Sequence, residues 1–191
     1  TIGSIGLGAM GGSYAKFLIE DNYTVYGVDP DTQNAELFTS LGGVLLNNIS
    51  DLIDKSDVII LSLPTVPIFK EVINEIEVNG KSNELKILID MNTISLNDKI
   101  ETKNKLEKLN INMVDAPVSG TGAQAKVKDI VVMSSGDKTI VDECDDIFRS
   151  FSKQNIYVGE FGNGIKFKIL ANLLVTVHNT VTAEALLLGQ K

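Results

Sequence analysis

The sequence predicts an α/β fold: a doubly wound, mainly parallel sheet followed by a long inter-domain α-helix. Three observations predict it. Short β-branched runs alternate with amphipathic stretches through the first ~160 residues, the rhythm of repeated strand–helix units. Runs such as Val58-Ile59-Ile60-Leu61 are apolar without alternation, which suits strands covered on both faces. After Gly164 this rhythm gives way to one unbroken helical pattern.

The elements follow in order. A strand at 2–5 runs into Gly6-Leu7-Gly8-Ala9-Met10-Gly11 and a helix at 10–20. Gly6 permits the tight turn, Gly8 lets the backbone approach a pyrophosphate, and Gly11 lets the helix lie close to the sheet. The free N–H groups and dipole of that helix then face the anion. Glycines fall at such offsets by chance in many loops, so the context carries the weight. A second strand at 23–28 ends on Asp29, about 20 residues after the glycines, where an acid grips the adenosine ribose. The series is Rossmann-like, and Gly6, Gly8, Ala9, Met10, Gly11 and Asp29 are its expected cofactor-binding residues. A carboxylate there repels a 2′-phosphate, and no basic residue lies among Pro30, Asp31, Thr32, Gln33 and Asn34. NAD is therefore expected over NADP. The alternative is that Asp29-Pro30-Asp31 is a turn capping the helix that begins near Thr32.

Further strands are predicted at 44–46, 57–63, 86–91, 110–115, 130–134 and 155–158, with helices at 32–41, 66–77, 96–109 and 138–151. From Ile165 to Leu188 there is neither proline nor glycine. Apolar residues recur at 167, 170, 174, 177, 181 and 188, while Ile169, Leu173, Val175 and Leu187 add apolar surface elsewhere on the helix. A helix apolar nearly all round is expected to be covered on most faces. The division predicted is a dinucleotide-binding domain over 1–161 and, over 162–191, a long helix opening a helical domain that the sequence otherwise lacks. A second helical domain or another subunit would cover the helix, so a homo-oligomer is expected through this region.

Composition narrows the function. The 191 residues, 43% hydrophobic and 22% charged, are those of a globular protein with room for one full α/β domain. A net charge of −8 argues against nucleic-acid or anionic-membrane partners. No N-terminal stretch resembles a signal peptide, and no run reads as a membrane span. Cys144 is the only cysteine, which excludes an internal disulfide or a cysteine metal cluster and fits a reducing cytoplasm. Asp142-Glu143-Cys144-Asp145-Asp146 reads as a solvated acidic face, since consecutive helical residues point apart; no metal site is expected. His178 reads as packing at a domain or subunit boundary.

Four further segments, with the glycines, resemble the β-hydroxyacid dehydrogenase family (3-hydroxyisobutyrate dehydrogenase-like) over essentially the whole chain. Leu61-Ser62-Leu63-Pro64 is similar to the family's strand end beneath the nicotinamide. Ile89-Asp90-Met91-Asn92-Thr93-Ile94-Ser95 resembles its Asp-Met-Ser-Thr segment, with Asn92 in place of serine and Thr93 retained. Read alone, both are ordinary strand ends and caps. Asp115-Ala116-Pro117-Val118-Ser119-Gly120 matches its substrate signature. There, Ser119 and Gly120 offer a hydroxyl and N–H groups that suit a carboxylate; Thr121 departs from the family's second glycine but is included in the expected set. Gly162-Asn163-Gly164 then leads to Lys168 and Asn172, four apart on one helical face. The resemblance implies that Lys168 is the acid–base group and that Asn172 orients the substrate. Lys166 competes, but its spacing to an amide is wrong. Hydride transfer needs a partner for the hydroxyl proton, and a lysine serves once its pKa falls from ~10.4 toward neutrality.

The expected function is an NAD-dependent oxidoreductase interconverting a small 3-hydroxy acid and its semialdehyde or keto acid. Lys168 argues against the imine reductase branch, and the absence of a histidine beside it argues against the 6-phosphogluconate branch. The alternative is a non-catalytic dinucleotide-binding module or sensor.

Overall fold

The structure is a computed structural model describing residues 1–79 and 85–190. Six strands form a parallel sheet: β1 (Ile2–Ile5), β2 (Val25–Val28), β3 (Val44–Leu45), β4 (Val58–Leu61), β5 (Ile87–Asp90) and β6 (Asn112–Asp115). Their order is β3-β2-β1-β4-β5-β6. Ile2 pairs with both Val25 and Val58, so the winding reverses at β1. In such sheets the crevice beyond the carboxyl ends at the reversal is where a ligand binds. Helices α1 (Gly11–Glu20), α2 (Thr32–Ser40), α3 (Ile49–Lys55), α4 (Val66–Asn79) and α5 (Leu96–Glu107) connect the strands.

The unbroken apolar runs are explained by burial on both faces. Ile59, Ile60, Leu61, Leu88 and Ile89 are each at most 1% exposed. One face packs Tyr14, Leu18, Phe148 and Phe151, with the Tyr14 and Phe151 rings 4.6 Å apart. The other packs Leu52, Phe69, Ile73 and Ile76.

Beyond β6 the fold departs from simple alternation. β7 (Val118–Ser119) follows Pro117, and α6 (Gly122–Ala125), β8 (Val131–Ser134), α7 (Lys138–Glu143), α8 (Asp145–Phe151) and β9 (Gln154–Tyr157) complete a second, three-stranded sheet. Its order is β7-β8-β9, with β7 antiparallel and β9 parallel to β8. One antiparallel bridge, Asp115 to Ser135, joins it to β6. The single helix expected at 138–151 breaks at Cys144, which ends α7 and begins α8. Cys144 is buried, which pushes its thiol up to about 12.

The final helix, α9 (Asn163–Gly189), runs without interruption as expected, but only Gly164 and Ile165 are buried. Phe167, Leu170, Leu174 and Val181 are exposed, and so are Ile169, Leu173, Val175 and Leu187. By length and composition α9 meets the requirement for crossing a membrane only at its margin, at a mean hydropathy of 1.2 over an 18-residue window, so it is not a clear span. Asn172, His178 and Asn179 interrupt that window's apolar surface, and the first turn is anchored in the α/β domain.

Candidate cofactor cleft and substrate residues

A cleft of about 750 Å³ opens at the carboxyl edge of the sheet where the winding reverses. Gly6, Gly8, Ala9 and Met10 form its floor, Asp29 one wall, and Leu63 and Pro64 the opposite end. Seven of the nine expected cofactor residues thus meet in one space. Gly11 lies beneath it: a Cβ there would stand 1.9 Å from the Gly6 carbonyl oxygen, so only glycine allows α1 to start so close to the turn. Gly6 has φ +89°, a left-handed conformation that favours glycine. Over Gly8, by contrast, an added Cβ would meet nothing within 4 Å. That open space is a cradle a side chain would fill. Met10, at the N-cap of α1, makes no side-chain capping bond; the Gly12 N–H donates to the Gly8 carbonyl at 2.8 Å, and the positive end of the helix dipole faces the cleft. These features fit a dinucleotide phosphate.

Asp29 is held rather than free. Its Oδ2 accepts from the Leu7 N–H at 2.6 Å and its Oδ1 from the Asp31 N–H at 2.8 Å, which fixes the carboxylate against the glycine loop with lone pairs left for ribose hydroxyls. The turn reading of this segment is also realised, because Asp31 caps α2 by accepting from Gln33 N and Asn34 N. Glu71 and Glu75 of α4 face the same cleft, which with Asp29 and Asp31 makes four acidic lining residues and no basic one. Neither glutamate was legible in advance, because only the packing of α4 turns them toward the cleft.

The edge near Leu63 is stapled by Asn92. Its Oδ1 accepts from the Leu63 N–H at 2.5 Å, and its own N–H and Nδ2 donate to Asp90 Oδ1 at 2.9 and 2.7 Å. The departure from serine at this position thus gives an amide that ties the ends of β4 and β5 together. Thr93, the next residue, is exposed on the same edge and does not line the cleft.

The expected substrate residues lie on a neighbouring surface. Ser119 ends β7 and is exposed. Gly120, at φ +141°, turns the chain into α6, whose first residue Gly122 approaches the Ala9 Cβ: a Cβ on Gly122 would stand 3.4 Å from it. Thr121 is engaged in a capping box, with its Oγ1 accepting from Gln124 N and its N–H donating to Gln124 Oε1. Its polar groups serve α6. Lys168 is half-buried near the start of α9, which packs on β6, β7 and β8, and desolvation lowers its pKa below the usual lysine range. Lys166 is exposed and donates to Asn163 Oδ1. Asn172 and His178 are exposed. Ser119, Lys168 and Asn172 share no cavity with the cofactor cleft among the described residues.

Comparison with known proteins agrees with this geometry. Residues 1–159 match the family model described as the NAD binding domain of 6-phosphogluconate dehydrogenase. The chain is 31% identical to 2-(hydroxymethyl)glutarate dehydrogenase of Eubacterium barkeri, over 100% of this chain and 64% of that protein. It is 32% identical to the mitochondrial 3-hydroxyisobutyrate dehydrogenase of Rattus norvegicus, over 98% of this chain and 56% of that one. Among solved structures, 3-hydroxyisobutyrate dehydrogenase of Mycobacterium tuberculosis, solved with L-serine, superposes with a TM-score of 0.94 at 26% identity, covering 100% of this chain and 65% of that one. The chain spans less than two thirds of the length of each of these relatives. Its glycine loop, its acid at the end of β2 and its strand order are thus those of an NAD(P)-binding domain, and the chain belongs to the family of the 6-phosphogluconate dehydrogenase NAD binding domain, as a 3-hydroxyisobutyrate dehydrogenase-like member.

Proposed function

We propose that this chain is the cofactor-binding part of an NAD-dependent oxidoreductase that interconverts a small 3-hydroxy acid and its semialdehyde or keto acid. One observation carries the reading. The carboxyl edge of the sheet gathers Gly6, Gly8, Asp29 and Leu63 into a single cleft, and the helix bearing Lys168 is anchored to that same edge through Asp115. NAD is favoured over NADP because the cleft's four carboxylates would repel an added 2′-phosphate.

When bound, the nicotinamide supplies the acceptor or donor of hydride. The chain's residues do the rest. The N–H groups of Gly8 to Met10 hold the pyrophosphate, Asp29 the adenosine ribose, and Leu63, Pro64 and Thr93 flank the nicotinamide half. Ser119 and the Gly120 N–H accommodate the substrate carboxylate, while Thr121 shapes their approach by capping α6. Lys168 takes the hydroxyl proton on Nζ during oxidation and returns it during reduction; its desolvation favours the neutral amine this requires. Asn172, one turn along, orients the hydroxyl. Residues 162–191 open a helical domain, and that domain or a second copy of the protein covers the apolar faces of α9. The protein acts in the cytoplasm on small molecules, without a nucleic-acid or membrane partner, in keeping with its charge of −8.

The test uses the full-length protein. NADH affinity is measured by titration, then turnover with a panel of short 3-hydroxy acids and either cofactor. Lys168→Ala is expected to abolish turnover with NADH affinity within about twofold of wild type. Retained turnover removes Lys168 from the chemistry. NADH binding with no turnover across the panel supports a non-catalytic binding module instead.

A further inference from the structure

Lys99 is the one lysine among the described residues with no exposed side-chain surface. It lies on α5 with Thr102 and Leu106, at the i, i+3, i+7 positions of the helix's buried stripe. A buried ammonium is costly unless paired and hydrogen-bonded, and Lys99 has two partners. Its Nζ lies 2.6 Å from Asp90 Oδ2 and 2.9 Å from Asp115 Oδ1, both carboxylates fully buried. Asp90 and Asp115 sit side by side in register at the carboxyl ends of β5 and β6. Burial pulls the Lys99 pKa down, but the two carboxylates outweigh it and hold it above the usual value.

The far oxygen of Asp115 reaches α9. Oδ2 accepts from the Ile165 N–H at 2.9 Å and from the Ser135 hydroxyl at 2.9 Å, and Ser135 Oγ accepts from the Gly164 N–H at 3.0 Å. The N-cap of α9 is Gly162, which makes no side-chain cap. Of the first-turn N–H groups, that of Ile165 is satisfied by a carboxylate fifty residues away in sequence and that of Gly164 by the Ser135 hydroxyl bound to the same carboxylate, which places an anion where the helix dipole favours it. The approach is so close that a Cβ on Gly164 would stand 2.5 Å from the Met133 carbonyl oxygen and 2.9 Å from Asp115 Oδ2. On the other side, Asp90 Oδ1 holds Asn92, which holds the Leu63 N–H in the cleft wall. A continuous polar chain thus joins the nicotinamide end of the cleft to the start of α9.

We infer that Lys99 is a positioning residue: by pairing with Asp90 and Asp115 together it fixes the first turn of α9, and with it Lys168, relative to the cofactor cleft. Two adjacent buried carboxylates repel each other, and the Lys99 ammonium between them offsets that repulsion. Its contact with Asp115 Oδ1 holds the carboxyl group in place, so that Oδ2 is aimed at the Ile165 N–H of α9. Lys168 lies three residues beyond Ile165, less than one helical turn, so little slack separates the anchor from the amine. The inference rests on the acid–base reading of Lys168 for its catalytic consequence, but not for the anchoring itself.

A buried ion triad can also be structural only, since apolar replacements of such groups are often neutral or stabilising. The experiment separates these roles in the full-length protein with Lys99→Met, which keeps the stem and removes the charge. Amide hydrogen exchange at Gly164 and Ile165 is expected to accelerate at least about tenfold relative to Leu88 and Ile89 of the core. NADH affinity is expected to stay within about twofold. The kcat should fall roughly 10- to 100-fold, and the limb of its pH profile belonging to Lys168 should move. Exchange at Gly164 and Ile165 unchanged relative to the core overturns the inference, as does a kcat loss that only tracks the unfolded fraction. If Lys168→Ala remains active, the acid–base reading fails, while the exchange measurement still decides the anchoring. Should Lys99→Met not fold, Asp115→Asn preserves the Lys99–Asp90 pair and gives the same readout. Accelerated exchange at Gly164 and Ile165 supports the anchor, and wild-type exchange overturns it.

Discussion

Replacing Gly8 with alanine should separate cofactor binding from folding. An added Cβ at Gly8 meets no atom within 4 Å, and its φ is not among the positive values. The methyl therefore costs the free protein nothing, and reducing the freedom of the unfolded chain adds about 0.4–1 kcal/mol of stability. For a chain of this size that raises Tm by roughly 1–4 °C. The same methyl, about 1.5 Å from Cα, occupies the cradle over the loop and displaces a phosphate from the first turn of α1. Losing one charge-assisted hydrogen bond costs about 1.5–3 kcal/mol, a drop in NADH affinity of roughly 10- to 150-fold. Gly11→Ala is the control with the opposite profile, because its Cβ would sit 1.9 Å from the Gly6 carbonyl oxygen. Backbone must move there, at about 1–3 kcal/mol, so Tm falls by roughly 2–12 °C. The chain has no tryptophan, so direct nicotinamide fluorescence gives the affinity without protein background, and thermal melts give stability. If Gly8→Ala binds NADH within twofold of wild type, the phosphate does not lie over Gly8. If it melts as low as Gly11→Ala, the loop is not open.

Three other outcomes follow from the same geometry. The double change Glu71→Gln/Glu75→Gln removes two of four carboxylates from the cleft and should raise NADPH affinity about 3- to 10-fold, with a smaller gain for NADH and a difference that shrinks in salt; equal gains for both cofactors would contradict the electrostatic account. Desolvation lowers the Lys168 pKa, so oxidation, which needs the neutral amine, should rise with pH along a limb below the ordinary ~10.4. Because the folded value is the lower one, the unfolded chain binds more protons between the two values, and stability from this group rises with pH through that window. A limb at or above the ordinary lysine value would argue against Lys168. Asn92→Ala leaves the Leu63 N–H without its acceptor, so the melt should drop by about 2–12 °C, for a loss of roughly 1–3 kcal/mol, and NADH should bind more weakly; a wild-type melt would show that the staple is idle.

The parallel sheet was legible because each of its strands announces itself locally. Val58–Leu61 and the Ile87-Leu88-Ile89 run of β5 are apolar on both faces, a pattern no amphipathic element shares. β1 matches its predicted run, and β2 to β6 begin or end one or two residues inside theirs, since pairing stops where the loops turn away. Three short elements escaped notice for a physical reason, α6 with only four residues among them. α3 spans only seven residues, two turns, too few for a helical period to separate from noise. β7 spans two residues after Pro117, and its antiparallel pairing is set by β8, a partner more than ten residues on. Cys144 divides α7 from α8 with neither glycine nor proline to mark the break.

The site divides along the same line. The glycine cradle and the placement of Asp29 follow from backbone geometry within one strand–helix–strand unit, so residue type and spacing suffice to find them. Lys99 carries no such mark. A helix lysine is usually solvated, and the only sign was its place on a stripe with Thr102 and Leu106; its partners are supplied by two strands and declare themselves only once β5 and β6 lie in register. Lys168 and Asn172 lie between these cases. Their spacing puts them on one face of α9, but spacing is silent on depth. The Asp115 anchor holds Ile165 at the sheet edge, and beyond it the helix rises away from the domain, so Lys168 is half-buried whereas Asn172, one turn further, is exposed. Depth on α9 is therefore set by helix face as well as by distance from Asp115: Lys166, one residue past the anchored Ile165, is exposed, whereas Lys168 is half-buried and its desolvation lowers its pKa, so the carboxylate that caps the helix also fixes which lysine is withdrawn from water.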